Sequence, residues 1–334
     1  MKIHAMAALS RGADLTPWIM ECSPLGPFDC LVKVESCGLC YSDVHMIDND
    51  WRSSRYPLVP GHEVIGAIAD CGPQVTRFKP GDRVGIGWQQ SACLACRDCL
   101  RGNENLCSQS GALIADGYGG FADHLVIDSR FCFSLPRELD MERAGPLLCG
   151  GITVYAALRY AGMTSGQNIG VIGLGGLGHL AIQFAARLGN RVTSFTTSGS
   201  KEADALSLGA AEVVLMKEGR PTTRPSEPLD LIIVTVPYSF AWDKLLGLLA
   251  TDGTLTFAAT PAENLSINVD RLLSHRRRIM ASPTAGRAMI EETLSLAARH
   301  RILPVIQPFP LNQVNEAIRQ LRANRIRYRA VIRL

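Results

Sequence analysis

Four cysteines stand in one short stretch, Cys93, Cys96, Cys99 and Cys107, with the spacing C-x2-C-x2-C-x7-C. Four thiolates that close together can saturate one tetrahedral Zn²⁺, and a closed site of this kind leaves no position open for substrate. A quieter set is scattered along the chain: Cys40 in CGLCYSDVH, His62 in PGHE and Cys149 in PLLCGG. Singly, a cysteine is more often a small hydrophobe, and a histidine a satisfied polar group. Together they supply Cys₂His, a catalytic zinc pattern that keeps a fourth position for water or substrate.

A third chemistry resides in Gly173-Leu174-Gly175-Gly176-Leu177-Gly178, a G-x-G-x-x-G run between the apolar stretch IGVI and an amphipathic helical pattern. In that context the first glycine permits a tight turn and the second a close approach to a pyrophosphate. The third, Gly178, lets helix and strand pack. The phosphates then meet the free N–H groups of a helix N-terminus. Sites for NAD place Asp or Glu about 20 residues further on, against the ribose hydroxyls. Here the second strand, RVTSF, runs into Thr196-Thr197-Ser198-Gly199-Ser200-Lys201. Hydroxyls can donate to a 2′-phosphate and Lys201 can neutralise it, whereas a carboxylate would repel it. NADP(H) is therefore the expected cofactor.

These residues need elements to hold them. Over 1–147 the runs DCLVKVES, EVIGAIAD, DRVGIG and FADHLVID are strand-like and broken by Gly, Pro and Asp, as in a small bent barrel. From 148 to 283, six apolar strand candidates (NIGVIG, RVTSF, EVVLM, DLIIVTV, TLTFAA, RIMAS) mostly alternate with helix-period segments. That pattern describes a six-stranded parallel dinucleotide-binding sheet covered on both faces. Residues 284–334 carry two helical patterns, 286–299 and 311–322, and a last strand, YRAVIRL, expected to return to the first domain. Cys40 and Cys149 fall on either side of the expected domain junction, where a pocket is anticipated. The segment 217–228 reads as a polar surface loop.

Composition sets outer bounds. The chain has 334 residues, 47% of them hydrophobic and 19% charged, enough for two domains with real cores. A net charge of +3 is too weak to indicate a nucleic-acid partner. No apolar run of about 18 residues suggests a membrane span, and the N-terminus does not read as a signal peptide. Eleven cysteines do not make a disulfide scaffold in a chain this long, and their clustering suits metal binding in a reducing compartment. Cys22, Cys30, Cys37, Cys71 and Cys132 read as small core or loop residues, and the expected location is the cytoplasm.

The motifs CGLCYSDVH, PGHEVIGAIADCG, KPGDRVGIG, the four-cysteine lobe, GYGGFADH, PLLCGGITVYAAL, GLGGLGHLAIQFAARLG and YRAVI follow one another through nearly the whole chain. In that order the sequence resembles the zinc-dependent medium-chain dehydrogenase/reductases, in particular the cinnamyl alcohol dehydrogenase-like aldehyde reductases. The resemblance implies an α/β protein with a bent, GroES-like β-barrel catalytic domain and a Rossmann domain. It implies two Zn²⁺ per chain: a catalytic one on Cys40, His62 and Cys149, approached by Glu63, and a structural one on Cys93, Cys96, Cys99 and Cys107. Ser42 takes the hydroxyl position that bonds the substrate oxygen, and His45 passes the proton to solvent. Thr196, Thr197, Ser198 and Lys201 match a turn that holds the 2′-phosphate. The implied substrate is a small aldehyde or alcohol, and the implied assembly a homodimer joined through the sixth strand, although Pro283 stands close to that edge. Asp43 reads as a residue that holds a loop. Trp51 and Trp88 are equally candidates for a pocket wall and for packing.

Two rival readings predict different observations. An NAD-dependent polyol or secondary-alcohol dehydrogenase would carry a carboxylate after RVTSF, which is missing. A zinc-lobe binding module without catalysis would surround its cysteines with basic residues, but LACRDCLRGNENL is nearly balanced in charge.

Overall fold

A computed structural model describes residues 1–22, 24–116 and 118–334. Gly117, in the GYGGFADH motif, lies outside them. Contacts divide the chain into two compact units. One comprises 1–149, 285–298 and 303–334; the other comprises 150–284 and 299–302.

The first unit is built on the long strand Asp29–Leu39. Its first half alternates buried and exposed side chains, and its last four residues are all buried. One side of it pairs with Glu63–Cys71. The other is shared along its length by His124–Asp128 and then Arg329–Arg333. One strand edge serving two neighbours requires the sheet to bend, and register shifts in the Glu63–Cys71 pairing contribute. Val32, Val64, Ile86 and Phe121 fill the interior, each buried aliphatic side chain stabilising it by about 1.5–3 kcal/mol. A hairpin of Lys2–Ala7 and Thr16–Glu21, with no counterpart in the sequence reading, precedes this sheet.

The second unit holds six parallel strands in the order Glu212–Lys217, Arg191–Thr196, Asn168–Ile172, Leu229–Val234, Leu249–Phe257, Arg278–Ala281. The order reverses beside Asn168–Ile172, where ligands of open α/β sheets bind. The central strands are continuously apolar because both faces are covered; Ile232, Ile233 and Val234 are fully buried. The segment 217–228, expected as a loop, adds a seventh, antiparallel strand of two residues, Arg220–Pro221. Among the described residues no helix is long and apolar enough to cross a membrane.

Candidate metal centres and cofactor turn

Cys40 follows the strand Asp29–Leu39 directly and caps the helix Tyr41–Ile47. The helix starts there because the Asp43 Oδ2 carboxylate oxygen accepts the Cys40 N–H at 2.8 Å, satisfying an amide that the helix leaves open. The other oxygen of Asp43 accepts from the Gly61 N–H and faces His62 Nδ1, both at 2.9 Å. Gly61 has φ +102°, and a Cβ there would strike Cys37 Sγ and Phe121, so the turn delivering His62 tolerates only glycine. Asp43 thus holds a loop, as the sequence suggested, and also fixes the ring of His62.

These elements bring together Cys40, His62, Glu63 and Cys149, whose ligand atoms lie within 4.8 Å of one another. The Cys40 and Cys149 sulfurs are 3.8 Å apart. His62 is fully buried, and its Nε2 has no hydrogen-bond partner among the described residues. An orphaned buried nitrogen is costly, but it is what a metal needs once a carboxylate has claimed the other ring nitrogen. The donor set fits Zn²⁺. The hydrogen bond between the two sulfurs holds Cys40 well below the ordinary thiol range and pushes Cys149 well above it. Burial opposes charge on His62, but the Asp43 carboxylate and the Cys40 sulfur outweigh it and raise the imidazole well above its usual value.

Glu63 is also buried, and burial raises its carboxyl to about 7 against the opposing pull of Arg329. One Glu63 oxygen is bonded by the Arg329 guanidinium; the other has no hydrogen-bond partner among the described residues. Burial disfavours the charge on Arg329, and Glu63, Cys40 and Cys149 more than compensate. The sequence reading gave Arg329 no role. Its signal was a charge inside the apolar run YRAVI, since a charge at such a place must be paired.

Ser42 Oγ lies 3.7 Å from Cys40 Sγ. His45, one turn on, is partly exposed and its Nδ1 meets Asp50 Oδ2 at 2.7 Å. An aromatic row runs Tyr41, His45, Trp51, Trp88 and His62, with successive ring centroids 5.0, 5.1, 5.8 and 5.1 Å apart. Trp88 stands edge-on to the His62 ring.

The second cluster, Cys93, Cys96, Cys99 and Cys107, also has its sulfurs within 4.8 Å. Backbone amides turn inward on it: Cys96 N–H reaches Cys93 Sγ at 3.2 Å and Gln109 N–H reaches Cys107 Sγ at 3.3 Å. The Ala95 and Cys96 amides push the Cys93 thiol down to about 6, while burial pushes Cys99 up to about 12. N–H groups aimed at sulfur favour thiolates, and four thiolates so placed fit a closed tetrahedral Zn²⁺. The lobe is fastened by Glu104, whose carboxylate accepts from Arg287 Nε at 2.9 Å and from the Arg287 backbone at 3.1 Å. All eleven cysteines are free thiols.

In the second unit the glycine run forms the turn between Asn168–Ile172 and the helix Gly178–Arg187. Gly173 has φ +95°, and a Cβ there would meet Val236 at 2.3 Å; at Gly178 it would meet the Gly173 carbonyl at 1.8 Å. A Cβ at Gly175 would meet nothing within 4 Å, which leaves the backbone open to a pyrophosphate. Gly176 and Leu177 complete the turn, with Leu177 at the helix cap. Thr235, absent from the sequence reading, braces it by donating to the Ile172 carbonyl at 2.8 Å. After Arg191–Thr196, the buried Thr196 hydroxyl accepts the Ser198 N–H at 3.3 Å, and Thr197 is exposed. Lys201 Nζ donates to the Leu174 carbonyl at 2.9 Å, so its ammonium lies at the glycine turn rather than in open solvent. The turn fits a dinucleotide.

Comparison with known proteins agrees with both halves. The alcohol dehydrogenase GroES-like domain matches residues 26–137, and the zinc-binding dehydrogenase domain matches 176–299. The aldehyde reductase AdhA of Synechocystis sp. is 38% identical over 330 residues, 99% of this chain and 98% of its own. A cinnamyl alcohol dehydrogenase from Sorghum bicolor superposes with a TM-score of 0.91 at 34% identity, covering 100% of this chain and 98% of that one. The CAD of Helicobacter pylori, solved in complex with NADP(H), also gives 0.91 at 29% identity, with the same coverage. The chain belongs to the zinc-dependent medium-chain dehydrogenase/reductase family, in its cinnamyl alcohol dehydrogenase-like branch.

Proposed function

We propose that this alcohol dehydrogenase is an NADPH-dependent aldehyde reductase, converting aromatic or medium aliphatic aldehydes to primary alcohols. The observation that carries the cofactor assignment is Lys201: its ammonium sits at the glycine turn, and no carboxylate stands between Thr196 and Lys201 to repel a 2′-phosphate. Thr196, Thr197 and Ser198 supply hydroxyls beside it. The NADP(H) of the Helicobacter pylori relative supports the same choice.

Cys40, His62 and Cys149 would hold one zinc, with Glu63 beside it, and Cys93, Cys96, Cys99 and Cys107 a second. When bound at the first set, Zn²⁺ supplies Lewis acidity to a carbonyl oxygen, and the nicotinamide supplies the hydride. The chain's own residues do the rest. Asp43 holds the His62 ring. Ser42 donates a proton to the substrate oxygen, and His45 replaces that proton from solvent, a task suited to a half-exposed imidazole. Trp51 and Trp88 offer ring faces and edges to an aromatic or apolar aldehyde. Free thiols throughout suit the cytoplasm. The strand Arg278–Ala281 ends the parallel sheet with one side unpaired among the described residues, and we assign that edge to a homodimer.

The test is kcat/KM for a panel of aldehydes with NADPH and with NADH, in wild type and Lys201→Ala. NADPH should be preferred, and the variant should lose at least tenfold with NADPH (about 1.4 kcal/mol for the charge-assisted contact) while NADH turnover holds. An equal or better wild-type result with NADH would overturn the cofactor assignment and favour the polyol reading.

A further inference from the structure

Three cysteines of the first unit belong to neither four-ligand cluster and share one place in its sheet. Cys30 opens the strand Asp29–Leu39, Cys71 closes the strand Glu63–Cys71, and the two are direct partners in the antiparallel register. The flanking ladder bond runs from the Gly72 N–H to the Asp29 carbonyl at 2.8 Å. It makes Cys30–Cys71 a non-hydrogen-bonded pair, the kind whose side chains stand closest, with Cα atoms about 4.5 Å apart. That separation falls inside the range of about 4.4–6.8 Å that a disulfide spans. The two sulfurs are already 3.7 Å apart. Cys30 is fully buried, Cys71 half-buried, and Cys132 is buried against Cys30.

We propose that Cys30 and Cys71 are a modification site, which hydrogen peroxide, a small neutral oxidant, closes into a reversible disulfide. In the first step the Cys30 sulfur attacks the peroxide. An S–O bond forms, the O–O bond breaks, and the departing hydroxide leaves as water with the thiol proton. In the second, the Cys71 thiol displaces that oxygen: an S–S bond forms, the S–O bond breaks, and a second water leaves. Two thiols are oxidised and one peroxide is reduced to two waters.

The surroundings assign the order and the oxidant. Cys132 donates a hydrogen bond to the Cys30 sulfur, which holds Cys30 below the ordinary thiol range, while burial pushes Cys71 up to about 11. That difference suits Cys30 to attack and Cys71, the more exposed of the two, to resolve it. Asp29 and Asp128 act on Cys30 and Asp70 and Asp82 on Cys71; of the cations beside them, Arg130 is paired with Asp128 at 2.5 Å and Arg77 acts on Cys132. Carboxylates still outnumber guanidiniums around the pair, which disfavours anionic oxidants such as oxidised glutathione and admits neutral hydrogen peroxide. The link would tie the start of one strand to the end of the next, away from Cys40 and Glu63 at their opposite ends.

The test treats the zinc-supplemented full-length chain with graded hydrogen peroxide, blocks free thiols, and maps linked peptides by mass. The expected product joins the Cys30 and Cys71 peptides and is lighter by two hydrogens. Its formation should raise Tm, and dithiothreitol should reverse both changes. Cys71→Ser, or Cys71→Ala should serine not fold, should give neither link nor Tm shift. Recovery of Cys30 as a free thiol at doses that oxidise other cysteines of the chain would overturn the proposal. So would a link from Cys30 to Cys132 in place of Cys71.

Discussion

At the scale of single residues, the candidate catalytic centre depends on Asp43 as much as on the atoms that would touch metal. Its two oxygens satisfy the Cys40 and Gly61 amides and His62 Nδ1, leaving Nε2 as the one ring nitrogen for a ligand. Asp43→Asn keeps the shape and removes the charge. It is expected to lower zinc affinity or kcat about 10- to 100-fold, the usual effect of losing a residue that orients a metal-binding histidine. Competition with a chelator, alongside steady-state rates, checks it; an unchanged affinity and rate would show that the orientation does not matter. Asp43 was legible in the sequence only as a loop holder, because its partners at 61 and 62 are distant in the chain. Arg329 was less legible still: its bond to Glu63 spans 266 positions, which no local pattern encodes.

At the scale of elements, two ties place the site. The first joins the helix Tyr41–Ile47 to the helix Val314–Arg322: Asp48, at the end of the former, accepts from Arg322 at 2.5 and 2.8 Å. The Arg322 hydrogen bond holds the Asp48 carboxyl below its ordinary value. The folded pKa is thus depressed, so the stabilisation is complete above the unfolded pKa of about 3.9 and is lost as pH falls through the folded value. Arg322→Ala should cost up to about 1 kcal/mol near pH 7, and the gap to wild type should close below about pH 4 in urea unfolding; a gap that widens in acid would refute the assignment. The second tie is the four-cysteine lobe. Cys99→Ser should lose one zinc per chain and lower Tm, with any fall in turnover following that loss; abolished turnover with zinc and Tm intact would contradict a structural role. Strong periodicity made the six parallel strands and the helices after 286 and 311 legible. The helix Tyr41–Ile47, with seven residues, is too short to display a 3.6-residue period. The hairpin at Lys2–Ala7 resembles an ordinary apolar N-terminus until its partner strand is known.

At the scale of the molecule, the first unit carries both thiol-rich clusters and the doubly covered parallel sheet of the second carries the glycine turn. Motif order along the chain made that division of labour readable, since the four-cysteine lobe and the glycine run each lie within one stretch and the scattered Cys40, His62 and Cys149 fall in recognisable motifs. What the sequence does not show is that residues 299–302, inside the stretch expected to return to the first domain, group with the second unit through contacts made only on folding. The central claim is that one cluster serves chemistry and the other architecture. It is tested most directly by measuring zinc per chain and NADPH-dependent aldehyde reduction together, in wild type and Cys40→Ala. The account predicts two zincs in wild type, and one in the variant with turnover lost; one zinc in both proteins, or a Cys40→Ala enzyme that still reduces aldehydes at the wild-type rate, would contradict it.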